Sequence, residues 1–158
     1  MDRFVGRLGL GLMFRERGVI GLANRARDAG EWGLAVRLYR KALDRNSRNP
    51  PIWVQYGHAL KESGARRDPD KLAQAEIAYR TALFLDPGIA DTYLQLGHVL
   101  KLQGKTEEAQ ACYLHALALD SSTSYPLDEL GALGWSEEAL SELQRIIGRE
   151  ILRPLGAH

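Results

Sequence analysis

The sequence predicts an all-α protein in which about three helix pairs stack into a solenoid closed by a C-terminal capping helix. Two stretches, WVQYGHALKESG at 53–64 and YLQLGHVLKLQG at 93–104, carry an aromatic residue, a Gln, a Gly-His pair and a Lys at the same spacing. Three others, at 35–47, 75–87 and 109–121, each carry an Ala, a Tyr four residues later and a second Ala three residues after that. Spacings of three and four place such residues on one face of a helix, so two kinds of helix alternate along the chain.

The repeat has a period of about 34 residues, a length found in stacked helical units, and it is interrupted once. The second halves keep this period from Ala75 to Ala109, whereas the first halves, from Trp53 to Tyr93, are further apart. The difference is the insertion ARRDPD at 65–70. Because a fixed period of this length is typical of stacked supersecondary units, the chain is expected to be a short repeat array.

A helical hairpin that repeats at this period, with a glycine at the turn between its helices, resembles the tetratricopeptide repeat (TPR). The early large residue of the family corresponds to Val19, Trp53 and Tyr93, its Leu-Gly pair to Leu22-Ala23, Tyr56-Gly57 and Leu96-Gly97, its turn glycine to Gly30, Gly64 and Gly104, and its closing proline to Pro87. The resemblance covers residues 16–121. It implies a right-handed α-solenoid of about three TPR helix pairs with a C-terminal capping helix, in which the first helices line a concave side.

The period divides the chain into segments. We expect an N-terminal segment that can pack as a helix at 1–15, three TPR units at 16–49, 50–89 (with the insertion at 65–70) and 90–123, a degenerate fourth unit with its capping helix at 124–153, and a tail at 154–158. The capping helix, expected at 136–153, carries apolar residues on one side, namely Leu140, Leu143, Ile146, Ile147 and Ile151. A terminal helix with a polar outer face can close a solenoid, and a helix that couples to a further domain is the alternative.

Small residues and helix caps recur at matching places. We expect close helix contacts at Ala23, Gly57, Gly97, Ala42, Ala82 and Ala116, with tyrosines and leucines filling the remaining space. The turn glycines are expected to end helices in the left-handed conformation. Asp68, Thr106 and Ser136 are predicted N-caps.

One polar stripe recurs on the first helices, because residues three apart share a face. The predicted peptide-binding groove consists of Asn24, Arg27, Gln55, His58, Lys61, Gln95, His98 and Lys101. Its amides can pair with the backbone of an extended peptide, and its cations suit the acidic groups of a protein or peptide partner. The competing interpretation is a solvated helix face without a ligand.

Two resemblances refine this function. The TPR pockets that hold chaperone tails carry a Lys at the fifth position of the first helix, where this chain has Ile20, Val54 and Leu94, so we do not expect a chaperone-tail receptor. The phrases HALKESG and HVLKLQGKTEEAQACYLHALALD are similar to repeats attached to protein O-GlcNAc transferases and bacterial glycosyltransferases. This similarity implies the alternative of an N-terminal accessory module that presents a substrate or mediates assembly of a glycosyltransferase.

Composition disfavours several other classes of protein. The 21 basic and 20 acidic residues nearly cancel, which argues against a general nucleic-acid-binding protein. A single cysteine, Cys112, allows no intrachain disulfide. The chain shows no catalytic motif, and His58 and His98 lack carboxylate partners for a metal, so we expect no catalytic residue, cofactor or metal.

The ends of the chain leave other interpretations open. No apolar run is long enough to span a membrane, and a cytoplasmic location is expected. The segment at 1–15 is expected to pack through Phe4, Leu8 and Leu12 on the first repeat, while a signal peptide and a membrane-surface contact are the alternatives. The chain is alternatively expected to self-associate through the array ends, by this segment or by the helix at 136–153.

Overall fold

The computed structural model describes residues 18–64 and 68–151, and all the regular structure in these residues is helical. The described part of the first helix, α1, covers residues 18–28. The others are α2 (Trp32–Leu43), α3 (Pro50–Glu62), α4 (Pro69–Leu85), α5 (Ala90–Leu102), α6 (Thr106–Leu119), α7 (Tyr125–Ala132) and α8 (Glu137–Ile151). The predicted all-α class is confirmed.

The chain divides into two compact units, Met1–Pro87 and Gly88–His158. In the first unit α2 packs on α3 and α3 on α4, and in the second α5, α6, α7 and α8 pack in sequence. The predicted contacts of the segment at 1–15 and the residues at 65–67 and 152–158 lie outside the described residues. Among the described helices, none combines the length and the apolar character needed to cross a membrane.

Glycines end the first helices as the sequence predicts. Gly30, Gly64 and Gly104 have φ angles of 72°, 103° and 76°, in the left-handed region. At Gly104 the chain closes a Schellman motif, because Gly104 N donates to Lys101 O at 3.0 Å and Lys105 N donates to Leu100 O at 2.9 Å. These bonds satisfy carbonyl groups that the helix itself leaves without a partner.

The buried tyrosines explain why small residues recur on the first helices. Tyr39, Tyr79 and Tyr113 are completely buried. A Cβ atom added to Gly57 would lie 3.0 Å from Tyr79 Cζ, and one added to Gly97 would lie 2.4 Å from Tyr113 Cε1. The rings of Tyr79 and Tyr113 therefore lie directly on the glycine backbone of their partner helices, which confirms the predicted close approach at Gly57 and Gly97.

Two of the three predicted N-caps are confirmed. Asp68 Oδ1 accepts hydrogen bonds from Asp70 N at 3.1 Å and Lys71 N at 3.3 Å. Ser136 Oγ accepts from Ala139 N at 3.2 Å. The prediction for Thr106 is wrong, because α6 already begins at Thr106 and its N-cap is Lys105. The Lys105 carbonyl accepts the first helical hydrogen bond from Ala109 N, at 3.0 Å.

The apolar side that the sequence predicts for α8, the last helix, is half-buried at three of its residues and exposed at one. Leu140, Leu143 and Ile147 are half-buried, whereas Ile146 is 48% exposed. Adjacent helix residues point about 100° apart, so Ile146 lies at the edge of the stripe that the other three form. The side chain of Ile151 lies outside the described part of α8.

Candidate functional site

All eight side chains of the predicted groove are half-buried. They belong to three first helices, α1 (Asn24, Arg27), α3 (Gln55, His58, Lys61) and α5 (Gln95, His98, Lys101). The stripes of α1 and α3 lie in the first unit and the stripe of α5 lies in the second, and one groove common to all three helices stays a prediction.

In the first unit the stripes of α1 and α3 are joined by a hydrogen bond. Arg27 Nη1 donates to Gln55 Oε1 at 2.8 Å, and Arg27 Nη2 lies 2.7 Å from Asp28 Oδ1. The hydrogen bond to Asp28 raises the pKa of Arg27 above its ordinary value. Asn24 Oδ1 accepts a hydrogen bond from the buried Tyr39 hydroxyl at 2.8 Å. Arg27, Gln55 and Asn24 therefore contribute to packing between helices.

The other two predicted residues of α3 also have neighbours within the unit. The His58 ring packs edge-on against Trp32 of α2, with ring centroids 5.6 Å apart. Lys61 Nζ lies 3.6 Å from Glu62 Oε1. The Trp32 contact was not predictable from the repeat, because the matching positions in the other units, Leu72 and Thr106, are not aromatic.

In the second unit Glu129 of α7 joins the stripe of α5. Its Oε2 atom accepts hydrogen bonds from Lys101 Nζ and, at 3.3 Å, from the Tyr113 hydroxyl. Its Oε1 atom lies 3.4 Å from His98 Nε2. Sequence reasoning missed Glu129, although it lies one repeat period after Gln95 and so occupies the first stripe position of the degenerate fourth unit.

Burial and neighbouring charges shift the pKa values of Glu129 and Tyr113 in this cluster. Burial acts to raise the pKa of Glu129, but the Lys101 hydrogen bond and the charges of His98 and Lys101 outweigh it, and the pKa falls below its ordinary value. Burial, assisted by Glu129, raises the pKa of Tyr113 well above its ordinary value. Glu129 is therefore an acceptor at neutral pH and Tyr113 a donor.

The cations of the α1 and α5 stripes each reach the first stripe position of the following first helix, which is Gln55 in α3 and Glu129 in α7. Arg27 and Gln55 have the same separation in sequence as Lys101 and Glu129. The cation at this position thus has a structural explanation in α1 and in α5. The three predicted cations each lie beside a carboxylate of the chain itself, namely Asp28, Glu62 and Glu129.

Beside this cluster the second unit forms a pocket of about 370 Å³. We name it the α5–α7 pocket. It is lined by Ala90, Asp91, Leu94, Gln95 and His98 of α5, by Ala116 and Asp120 from the end of α6, and by Thr123, Tyr125 and Pro126 at the start of α7. Most of the lining surface is apolar, and two of the predicted groove residues, Gln95 and His98, border it.

Two carboxylates stand at the rim of the α5–α7 pocket. Gln95 Nε2 lies 3.5 Å from Asp91 Oδ1. Asp120 Oδ1 accepts hydrogen bonds from Ser122 N at 2.9 Å and Ser122 Oγ at 2.6 Å, and these bonds lower the pKa of the exposed Asp120 carboxyl. The rim therefore carries negative charge at neutral pH.

Comparison with known sequences identifies a repeat and two relatives. Residues 90–123 match the family described as tetratricopeptide repeat. The small glutamine-rich tetratricopeptide repeat-containing protein 2 of Mycosarcoma maydis is 28% identical over 75% of this chain. The photosystem I assembly protein Ycf3 of Parasynechococcus marenigrum (strain WH8102) is 34% identical over 49% of it. This chain spans only 31% of the first relative and 47% of the second.

Solved structures share the fold at low sequence identity. The TPR domain of Arabidopsis OM64 has a TM-score of 0.70 and 23% identity, covering 78% of this chain and 97% of that one. The first TPR of Spaghetti (RPAP3), bound to the HSP90 peptide SRMEEVD, has a TM-score of 0.65 and 20% identity, covering 87% and 94%. The Yersinia enterocolitica type III secretion chaperone SycD, in complex with a YopD peptide, has a TM-score of 0.61 and 14% identity, covering 85% and 93%.

The glycosyltransferase association, the self-association and the cytoplasmic location stay predictions. The all-α fold of helix pairs is confirmed, because solved structures share it at TM-scores of 0.61–0.70. The chain therefore shares the all-α fold of solved tetratricopeptide repeat structures, and its residues 90–123 match the tetratricopeptide repeat family.

Proposed function

We propose that this chain is a non-catalytic scaffold that holds an extended segment of a partner protein against its first helices. The observation that carries the proposal is the α5–α7 pocket, an apolar hollow of about 370 Å³ bordered by Gln95 and His98. Peptide complexes of the structurally similar Spaghetti and SycD proteins support it.

The lining of the pocket favours an apolar anchor side chain. Ala90, Leu94, Ala116 and Pro126 supply apolar surface, and burial of one large aliphatic or aromatic side chain contributes about 1.5–3 kcal/mol. Gln95 borders this surface with an amide, a group that can pair with the backbone of an extended segment.

The same lining disfavours a terminal carboxylate. Leu94 occupies the fifth position of α5, where a tetratricopeptide repeat that holds a chaperone tail is expected to carry a Lys. Asp91 and Asp120 at the rim would repel an acidic group, and Glu129 already neutralises Lys101. The proposed anchor is therefore apolar and its flanking residues are neutral or basic.

Leu94→Glu tests this proposal by placing a charge in the pocket. Leu102→Glu is the matched control, because Leu102 lies on the same helix, is exposed and is not part of the pocket lining. Both variants and the unmodified chain are used as baits in lysate of the source organism, and captured proteins are quantified by mass spectrometry.

We expect the unmodified chain and Leu102→Glu to capture the same partners and Leu94→Glu to lose them. Circular dichroism must show equal helicity in all three proteins. If Leu94→Glu retains the partners of the unmodified chain, the α5–α7 pocket does not hold them and the proposal fails.

A further inference from the structure

The end of α2 and the turn that follows it form a basic segment at residues 35–48. The segment contains five cations, all exposed, namely Arg37, Arg40, Lys41, Arg45 and Arg48. Its one acid is Asp44, so its net charge is +4, whereas the whole chain has a net charge of +1. Cations at a helix C-terminus favour the helix dipole, but that effect acts over the last turn only and does not require five of them.

The basic segment borders a second hollow, which we name the α2–α4 pocket. It has a volume of about 400 Å³ and lies within the first unit. Its apolar lining comes from Leu43, Trp53, Tyr56 and Ile77, and Arg40 stands among them. This hollow belongs to different helices from the α5–α7 pocket, so it can bind a ligand whether or not that pocket does.

Hydrogen bonds hold the polar and aromatic parts of the α2–α4 pocket in place. Trp53 Nε1 donates to Ser47 O at 2.8 Å, and the Trp53 ring meets Tyr56 edge-on with centroids 6.2 Å apart. Arg40 Nη1 donates to Tyr56 Oη at 3.3 Å. The guanidinium is thereby held at the edge of the apolar surface. Its Nε atom lies 3.9 Å from Asp44 Oδ1, and because 65% of the side chain is exposed, a carboxylate of a partner can also reach it.

An exposed apolar stripe on α4 continues the surface of this pocket. Ile77 is 61% exposed and Phe84 is 87% exposed. They are two helical turns apart, which places them on the same face of α4 and roughly 10 Å apart along its axis. A partner segment that fills the pocket beside Ile77 can therefore also cover Phe84.

The second unit contains the corresponding hollow without the basic flank. A pocket of about 350 Å³ is lined there by Leu117, Ser121 and Leu127, the counterparts of Leu43, Ser47 and Trp53, and by Ile147 of α8. The positions that match Arg40 and Asp44 are Leu114 and Ala118. A hollow at this place is thus common to both units, whereas the charged border is specific to the first.

We propose that the α2–α4 pocket and the adjoining basic segment bind an acidic segment of another protein that inserts an apolar side chain beside Ile77. Charge complementarity selects the acidic partner, because the segment presents five exposed cations around apolar surface. A protein segment fits better than a nucleic acid, since Asp44 lines the pocket and Phe84 offers apolar surface that a phosphate backbone would leave uncovered.

The test uses synthetic peptides and the intact chain. The probe is a fluorescein-labelled peptide of about 12 residues made of Glu and Asp with one Trp and one Leu three positions apart, because three extended residues span roughly 10 Å. One matched peptide has Ser at both apolar positions, and another has Lys at every acidic position. Binding is measured by fluorescence anisotropy at low and physiological salt, with a labelled single-stranded oligonucleotide as a further probe.

Two pairs of variants separate the apolar from the charged contribution. The double variant Ile77→Ser with Phe84→Ser removes the apolar stripe, and its control is Ile146→Ser with Leu119→Ser, two exposed apolar residues of the second unit. Lys41→Glu with Arg45→Glu reverses charge in the basic segment, and its control is Lys105→Glu with Arg145→Glu, which changes the net charge by the same amount.

The acidic peptide with both apolar residues is expected to bind best. Ile77→Ser with Phe84→Ser should weaken its binding at least about tenfold, since burial of one large apolar side chain alone corresponds to that factor or more. Lys41→Glu with Arg45→Glu should weaken it by at least a similar factor, because like charges then face the acidic peptide. The controls should stay within about twofold. All substituted side chains are exposed, and thermal unfolding checks that each variant is folded.

The proposal is overturned by any of three results. In the first, the Ser-containing peptide binds as tightly as the probe, which would show charge attraction without a pocket. In the second, the test variants bind the probe as tightly as their controls do. In the third, the oligonucleotide binds more tightly than the peptide, and its binding is weakened by the charge reversal but not by Ile77→Ser with Phe84→Ser, which would assign the basic segment to nucleic acid.

Discussion

Replacement of Gly97 by Ala tests how closely the helices approach. A Cβ atom at this position would lie 2.4, 2.8 and 3.0 Å from Cε1, Cδ1 and Cζ of Tyr113. Nonbonded carbon atoms are most stable about 3.5–4.0 Å apart, so the nearest contact is short by more than about 1 Å. Tyr113 is completely buried and its hydroxyl donates to Glu129, so the ring cannot move away without losing packing or this hydrogen bond.

Two opposing effects determine the magnitude. Overpacking of a well-packed core costs about 1–3 kcal/mol. Replacement of a mid-helix Gly by Ala stabilises a helix by about 0.8–1.0 kcal/mol. We expect Gly97→Ala to lower the free energy of unfolding by about 1–2 kcal/mol, because the severe overlap places the cost at the upper end of its range. Gly57→Ala should be milder, since its nearest contact would be 3.0 Å.

The assay is equilibrium urea unfolding followed by circular dichroism. The matched control is Gly21→Ala, because Gly21 lies in α1 with no atom within 4 Å of an added Cβ. This control should be neutral or stabilising by up to about 1 kcal/mol. A Gly97→Ala variant at least as stable as the unmodified chain would refute the close packing of Tyr113 on the α5 backbone.

Two further predictions concern stability. The pKa of Glu129 is lowered in the folded state, so its contribution to stability is present above the unfolded pKa of a glutamate and is lost as the pH falls through the folded pKa. Glu129→Gln should therefore reduce the loss of stability that urea unfolding shows as the pH falls below about 4.3, the ordinary pKa of a glutamate, and an unchanged pH profile would contradict this. Asp68→Ala should cost about 1 kcal/mol because it removes the acceptor for Asp70 N and Lys71 N, whereas the neighbouring exposed change Asp70→Ala should cost less in the same assay; equal losses would argue against the cap.

Much of the local structure was predictable because it depends on residues close in sequence. The turn glycines and the small residues beneath the tyrosines follow from short spacings that recur from repeat to repeat, and the Asp68 and Ser136 caps follow from the type of side chain directly before a helix. Thr106 was predicted one position wrongly, because Lys105 already supplies the carbonyl that starts α6.

The candidate site was predictable only in part. The period identified the half-buried stripe, and it could also have identified Glu129, which is one repeat after Gln95. It did not indicate that the repeated cations lie beside carboxylates of the chain itself. Whether the eight stripe residues bind a peptide stays a prediction.

The sequence by itself determined the helix pairs, their ends and the faces they bury, because helical periodicity and capping act over a few neighbouring residues. Only the tertiary structure decided which distant side chains meet: Lys101 with Glu129, Arg27 with Gln55, and the walls of the α5–α7 and α2–α4 pockets. The physical reason is that a hollow is left where three helices fail to fill the space between them. Its shape and charge depend on side chains contributed by all three, which no local spacing specifies.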